Sequence, residues 1–115
     1  MLGTTFGGNY LATTACMAVL EVIEKEKLLA NAAQMGAYLM ASLVSVEKLM
    51  RLRGRGLMIG FDLSEENKEV RSNLLSKHRI FVGEAKPNAI RLLPSLTLAK
   101  NEIDIFIDAL KTELP

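Results

Sequence analysis

A chain of 115 residues, half of them hydrophobic, is long enough to fill one core without disulfides or metal, and nothing in the length calls for a second domain. The 14 Lys and Arg against 13 Asp and Glu leave a formal charge of +1, too weak a field to argue for nucleic acid or an anionic membrane as partner. Cys16 is the single cysteine and His78 the single histidine, so an intramolecular disulfide is excluded, a thiolate or imidazole metal cluster lacks ligands, and a reducing, cytoplasmic setting is expected.

The apolar stretches are broken by charges before they reach bilayer-spanning length, and Met1-Leu2-Gly3-Thr4 lacks the basic-then-apolar order of an export signal, so no membrane role is expected. From Asn9 to about Glu26, the residues Leu11, Ala15, Ala18, Val22 and Ile23 recur near helical spacing behind a Gly-Gly pair, which predicts a helix buried on more than one side. Leu28, Ala32, Met35, Leu39, Leu43 and Val46 then draw an apolar stripe along a second long helix, and the two should form a hairpin or a bent pair. After Glu47 the pattern turns to alternation, with Met50 and Leu52 against Arg51 and Arg53, which predicts a strand interrupted by Gly54 and Gly56. Leu57, Ile59, Phe61 and Leu63 on one face, with Met58, Gly60 and Asp62 on the other, predict a strand in a covered sheet.

Ser64 offers an N-cap, with Glu65 and Glu66 in the first turn, for a helix through Val70, Leu74 and Leu75 to about His78. Ile80-Phe81-Val82 and Ala89-Ile90-Arg91-Leu92-Leu93 read as two further strands joined by a loop with Pro87 and Asn88. Ile103, Phe106, Ile107, Leu110 and Leu114 oppose Glu102, Asp104, Asp108 and Lys111, the pattern of an amphipathic helix that packs on the sheet. Residues 1–115 therefore read as one α+β domain, with helices on one face of a small, largely antiparallel sheet of three or four strands.

Two places carry the parts of a binding site. Gly3-Thr4-Thr5-Phe6-Gly7-Gly8-Asn9 combines hydroxyl donors, glycines and a helix start, which suit a phosphate, and equally describes a glycine-rich turn that only caps a helix. Arg91 stands in an otherwise apolar strand just before Pro94: its fork geometry suits a carboxylate, and it equally suits the exposed face of an edge strand. Arg51, Arg53 and Arg55, with Lys48, form a positive run read as a solvated strand face, since no aromatic residues interleave it to stack bases. His78 has no nucleophile or acid patterned with it, the methionines fall mostly on apolar helix faces, and Cys16 reads as a small buried hydrophobe. Every lysine lies in polar or charged surroundings, unlike an amine whose pKa is lowered for covalent catalysis.

Leu2-Gly3-Thr4-Thr5-Phe6-Gly7-Gly8-Asn9-Tyr10-Leu11-Ala12 resembles a segment of the class III pyridoxal-phosphate (PLP) aminotransferases that follows their coenzyme-linked lysine. Ala18-Val19-Leu20-Glu21-Val22-Ile23-Glu24, Arg53-Gly54-Arg55-Gly56-Leu57-Met58-Ile59-Gly60, Ile90-Arg91-Leu92-Leu93-Pro94 and Glu102-Ile103-Asp104 follow in the family's order and spacing. The resemblance spans essentially the whole chain and is nearest the acetylornithine branch, with the ornithine and succinylornithine branches next. It implies the C-terminal small domain of the PLP-dependent transferase fold, with residues 1–26 meeting the larger domain or the neighbouring subunit of a homodimer. It implies that Thr5, supported by Thr4, Gly7 and Gly8, binds the cofactor phosphate of that neighbour, and that Arg91 holds the substrate α-carboxylate. The implied reaction moves an amino group between N-acetylornithine and 2-oxoglutarate in arginine biosynthesis. The lysine belongs to an upstream domain, so no catalytic residue is expected in this chain, and alone it should neither hold the coenzyme nor turn over.

Three positions depart from the pattern. Ala99 stands where a capping Thr or Ser is usual, which removes a contact typically worth about 1 kcal/mol. Ser95 replaces the second proline after the arginine strand, and Tyr10 replaces the commoner His or Pro. The competing expectation is a self-standing, non-catalytic module in which Arg91 grips an amino-acid or other carboxylate ligand.

Overall fold

The computed structural model describes residues 3–85 and 88–114. Met1, Leu2, Lys86, Pro87 and Pro115 lie outside the described residues, and with them the start of the glycine-threonine motif and the proline of the expected strand-joining loop. Helix α1 spans Tyr10–Lys25 and helix α2 Leu28–Val44. Asn9 starts α1: its Oδ1 accepts from the Ala12 N–H at 2.9 Å, and its Nδ2 donates to the Phe6 carbonyl at 2.6 Å. Lys27, at φ 53°, makes the left-handed step that separates α1 from α2.

Strands β1 (Met50–Arg55), β2 (Met58–Asp62), β3 (Gly83–Ala85) and β4 (Ala89–Leu92) form one antiparallel sheet in the order β1-β2-β4-β3. Helices α3 (Val70–His78) and α4 (Lys100–Glu113) complete the chain. Period-two alternation sends Ile59 and Phe61 from β2, and Ile90 and Leu92 from β4, into a single core. There they meet Leu39 and Leu43 of α2, Leu74 of α3, and Ile103, Phe106, Ile107 and Leu110 of α4. The expected α+β arrangement is therefore present, with α2, α3 and α4 sharing one core with the sheet.

Helix α1 is the exception. It packs along α2, away from the sheet, and none of its residues is buried, which corrects the expectation of a helix covered on more than one side. Leu11, Val19, Leu20 and Val22 are exposed, and so is Cys16, which is no buried hydrophobe.

Two other boundaries differ from expectation for local reasons. A single 3-10 turn at Glu65–Asn67 follows Ser64, whose side chain makes no capping bond, and the α-helix starts only where Val70 enters the core. Ile80-Phe81-Val82 is not a strand. The α3 end is wrapped by Arg79 at φ 57°, with N–H bonds from Arg79 to Leu75 O (3.1 Å) and from Ile80 to Leu74 O (2.9 Å), and ladder pairing begins only at Gly83. Ile80 and Val82 still pack on the core while Phe81 faces out, so their alternation reports burial without strand pairing. At α4, Ala99 has no side-chain oxygen to offer, but the Glu102 carboxylate accepts the Ala99 N–H at 2.8 Å, leaving half of a capping box.

Gly36 is buried in α2, where a side chain would run into the backbone of Gly56 in the β1–β2 turn, itself at φ 56°. Alanine at this position gains helix propensity of about 1 kcal/mol, but the clash is with main chain that cannot swing aside. Gly36→Ala is expected to lower stability by about 1–2 kcal/mol net, read as a lower urea midpoint at unchanged slope.

The Glu113 carboxylate, at the end of α4, joins α3: Lys77 Nζ donates to it at 3.0 Å and His78 Nε2 lies at 2.9 Å. The hydrogen bond from His78, then that from Lys77, hold its pKa below the ordinary glutamate value despite burial. A depressed folded-state pKa means stability that is present above the unfolded pKa and lost as pH falls through the folded one. The melting-temperature gap between wild type and Glu113→Gln should therefore be largest near neutrality and close on acidification below about pH 4.

Candidate functional site

The N-terminal loop is a turn closed by the Gly7 N–H on the Thr4 carbonyl at 3.3 Å, with Gly8 at φ 76° leading into Asn9. The Thr4 methyl folds over Gly7 and would have to turn aside for any side chain placed there. Thr4 and Thr5 are exposed, and neither hydroxyl has a hydrogen-bond partner among the described residues. Both readings of the loop thus hold together: Asn9 satisfies the helix end as an ordinary cap, while two hydroxyl donors beside it face outward. The donors suit a phosphate ester, which accepts hydrogen bonds at several oxygens.

Arg91 lies on β4, an inner strand, which rules out the edge-strand alternative. It is exposed on the sheet face opposite the core, because Ile90 and Leu92 on either side of it point inward. Its register partners are glycines on both sides, Gly60 of β2 and Gly83 of β3. A Cβ on Gly83 would stand 2.9 Å from the Arg91 carbonyl, so the strand is crowded at the backbone, while neither partner places a side chain beside the guanidinium. Among the described residues Arg91 has no ion-pair partner.

The same face holds a cluster that pattern reading missed. Asp62 is the buried charged residue of the sheet, 5% exposed, and both Arg51 and Arg53 contact its carboxylate, Arg53 Nη2 at 3.0 Å from Oδ1. That contact is close but poorly aligned for a hydrogen bond, and Oδ1 finds no better partner. Burial pushes the Asp62 carboxyl up, but the close Arg53 contact and the positive charges of Arg51 and Arg53 together outweigh it and hold the group below the ordinary aspartate value. A bulge in β1, with Arg51 at φ 48°, lets both arginines reach one aspartate. Arg51 and Arg53 are therefore not a merely solvated strand face. The available signal was a lone acid in an apolar strand, one hairpin turn away from an arginine-rich one.

Beyond Arg91 the chain runs into Pro94 and a loop pinned from α2, where Asn31 Nδ2 donates to the carbonyls of Leu96 (2.7 Å) and Leu98 (3.1 Å). A cleft of about 540 Å³ opens between residues 80–83, the end of β4 and α4, with Leu93, Phe106 and Ile105 among its walls and Arg91 at its border. A shallower one of about 380 Å³ lies between the second half of α1 and residues 95–97. Neither includes Thr4 or Thr5, so the structure does not bring the loop and Arg91 into one site within this chain. Among the described residues no cluster could hold a metal ion, and no helix is long and apolar enough to cross a membrane.

Comparison with known proteins agrees along the whole length. The family model described as aminotransferase class-III matches residues 1–114. The acetylornithine aminotransferase of Archaeoglobus fulgidus is 42% identical over 102 residues, 89% of this chain and 26% of the relative. The ornithine aminotransferase of an Exiguobacterium species is 37% identical over 114 residues, 97% of this chain and 28% of the relative. Among solved structures, a lysine aminotransferase from M. tuberculosis superposes with a TM-score of 0.83 at 34% identity, over 99% of this chain and 28% of its own. This chain thus spans little more than a quarter of the relatives it matches. With a family model covering nearly every residue and a fold shared with solved members, the chain belongs to the class-III aminotransferases.

Proposed function

We propose that this domain is the carboxylate-binding and phosphate-contacting part of a PLP-dependent aminotransferase, with Arg91 as the anchor of the substrate α-carboxylate. The observation that carries the reading is an exposed guanidinium on an inner strand, flanked by two glycines and left without an ion-pair partner among the described residues. A guanidinium held on a rigid sheet with its fork open is pre-organised for a planar anion.

Thr5, supported by Thr4, is proposed to donate to the cofactor phosphate of a neighbouring subunit in a homodimer, and the fit rests on two outward hydroxyls at the start of α1. The coenzyme, when bound, supplies the electron sink for moving the amino group. The lysine that joins it is proposed to come from the portion of the relatives that this chain does not span, so the isolated domain should be inactive. Helix α1 is proposed to pack on that portion or on the neighbouring subunit, since Leu11, Val19, Leu20 and Val22 are exposed here. As amino donor we propose N-acetylornithine, with 2-oxoglutarate as acceptor. Acetylornithine aminotransferases among the most similar relatives support this, and ornithine aminotransferases of nearly equal identity make ornithine the competing donor.

Arg91→Lys keeps the charge and removes the fork. In the whole protein that carries this domain, it should lower kcat/KM for 2-oxoglutarate by about 10- to 100-fold, mainly through KM, with the melting temperature unchanged. Unchanged kinetics would reject Arg91 as the carboxylate anchor.

A further inference from the structure

Asp62 and Arg91 share the outer face of the sheet at a spacing that invites them to pair. Gly60 is opposite Arg91 and Asp62 opposite Ala89, so Asp62 and Arg91 are diagonal neighbours, with Cα atoms about 7–8 Å apart by antiparallel geometry. An arginine side chain spans that distance with ease. Asp62 is buried and ionised, and a buried carboxylate without a cation would draw the nearest guanidinium. Arg91 nevertheless makes no ion pair with it, while Arg51 and Arg53 both contact the carboxylate.

Arg53 is placed for this task. It is opposite Gly60 in the ladder, and its guanidinium lies across that glycine, with Cζ and Nε each 3.9 Å from where a side chain would begin. Its Nη1 is held by the Arg51 carbonyl at 2.7 Å, and its Nη2 rests on Asp62 at 3.0 Å. The Arg53 head group therefore lies over Gly60, the residue opposite Arg91 and two positions before Asp62, and puts a like charge on the path between them.

We propose that Arg53, with Arg51, is a positioning residue that keeps Asp62 from capturing Arg91 and so leaves the Arg91 fork open to substrate carboxylate. The proposal rests on the reading of Arg91 as that anchor. Neither Arg53 nor Arg51 need touch substrate; they act on the fraction of molecules in which Arg91 is available, and apparent affinity scales with that fraction.

The test is a rescue experiment in the whole protein, with 2-oxoglutarate as the carboxylate probe. Arg53→Gln exposes Asp62 to Arg91, and KM for 2-oxoglutarate should rise about 5- to 10-fold with a smaller change in kcat. The double variant Arg53→Gln/Asp62→Asn removes the competing carboxylate and should bring KM back to within about 2-fold of wild type. A role in mere folding predicts no such recovery. Should Arg53→Gln not fold, Arg51→Gln carries the same expectation, since the Arg51 side chain is 75% exposed and its loss opens the other Asp62 oxygen. An Arg91→Lys control separates the two ideas. If it raises KM while Arg53→Gln or Arg51→Gln does not, or if Asp62→Asn fails to rescue, the positioning role is overturned. If Arg91→Lys is itself silent, the anchor reading has failed instead.

Discussion

The antiparallel pairing of β2 with β4 decides both faces of the sheet at once. With Phe61 opposite Ile90 and Ile59 opposite Leu92, the apolar residues of the two central strands enter the core together. The same register puts Gly60, Asp62 and Arg91 on the outer face, with Gly60 beside Arg91. A slip by one residue would send Arg91 and Asp62 into the core and the apolar set into water, at a cost no nearby contact could offset. The hydrophobic core therefore specifies the position of the guanidinium as strictly as any hydrogen bond would.

Charge on the outer face follows from that register. Arg51, Arg53, Arg55 and Arg91 lie there with Asp62, and burial of Asp62 demands a cation. The β1 bulge turns Arg51 so that two of the arginines serve one carboxylate, and Arg91 is left without an ion-pair partner among the described residues. A guanidinium between two glycines, with no ion-pair partner among the described residues, sets Arg91 apart on this sheet. The loop after β4, tied to α2 through Asn31, fixes the direction in which the chain leaves the arginine strand.

Much of the fold was legible in residue spacing because one-sided burial leaves a periodic trace. The α2 and α4 stripes and the Leu57-Ile59-Phe61-Leu63 alternation all correspond to buried faces. The misreadings occur where periodicity and environment part. In α1 the apolar positions are regular but lie only along α2 and beside a shallow cleft, so a pattern that normally means burial is largely exposed. Ile80-Phe81-Val82 alternates because Ile80 and Val82 reach the core from an irregular segment, and alternation carries no information about ladder bonds. At the site, Arg91 was visible as a charge in an apolar strand. The strand's inner position and its two glycine neighbours depend on long-range pairing, which local spacing cannot encode. The Asp62 clamp depends further on a bulge, a one-residue shift that leaves no periodic mark.

The central claim is that the Arg91 guanidinium meets substrate and not a protein carboxylate. It is tested most directly by a crystal structure of the whole protein with 2-oxoglutarate bound. The account predicts both oxygens of one substrate carboxylate within about 3 Å of the Arg91 fork, with Arg51 and Arg53 still on Asp62. Arg91 paired with Asp62, or a substrate carboxylate held by other groups while Arg91 faces solvent, would contradict it.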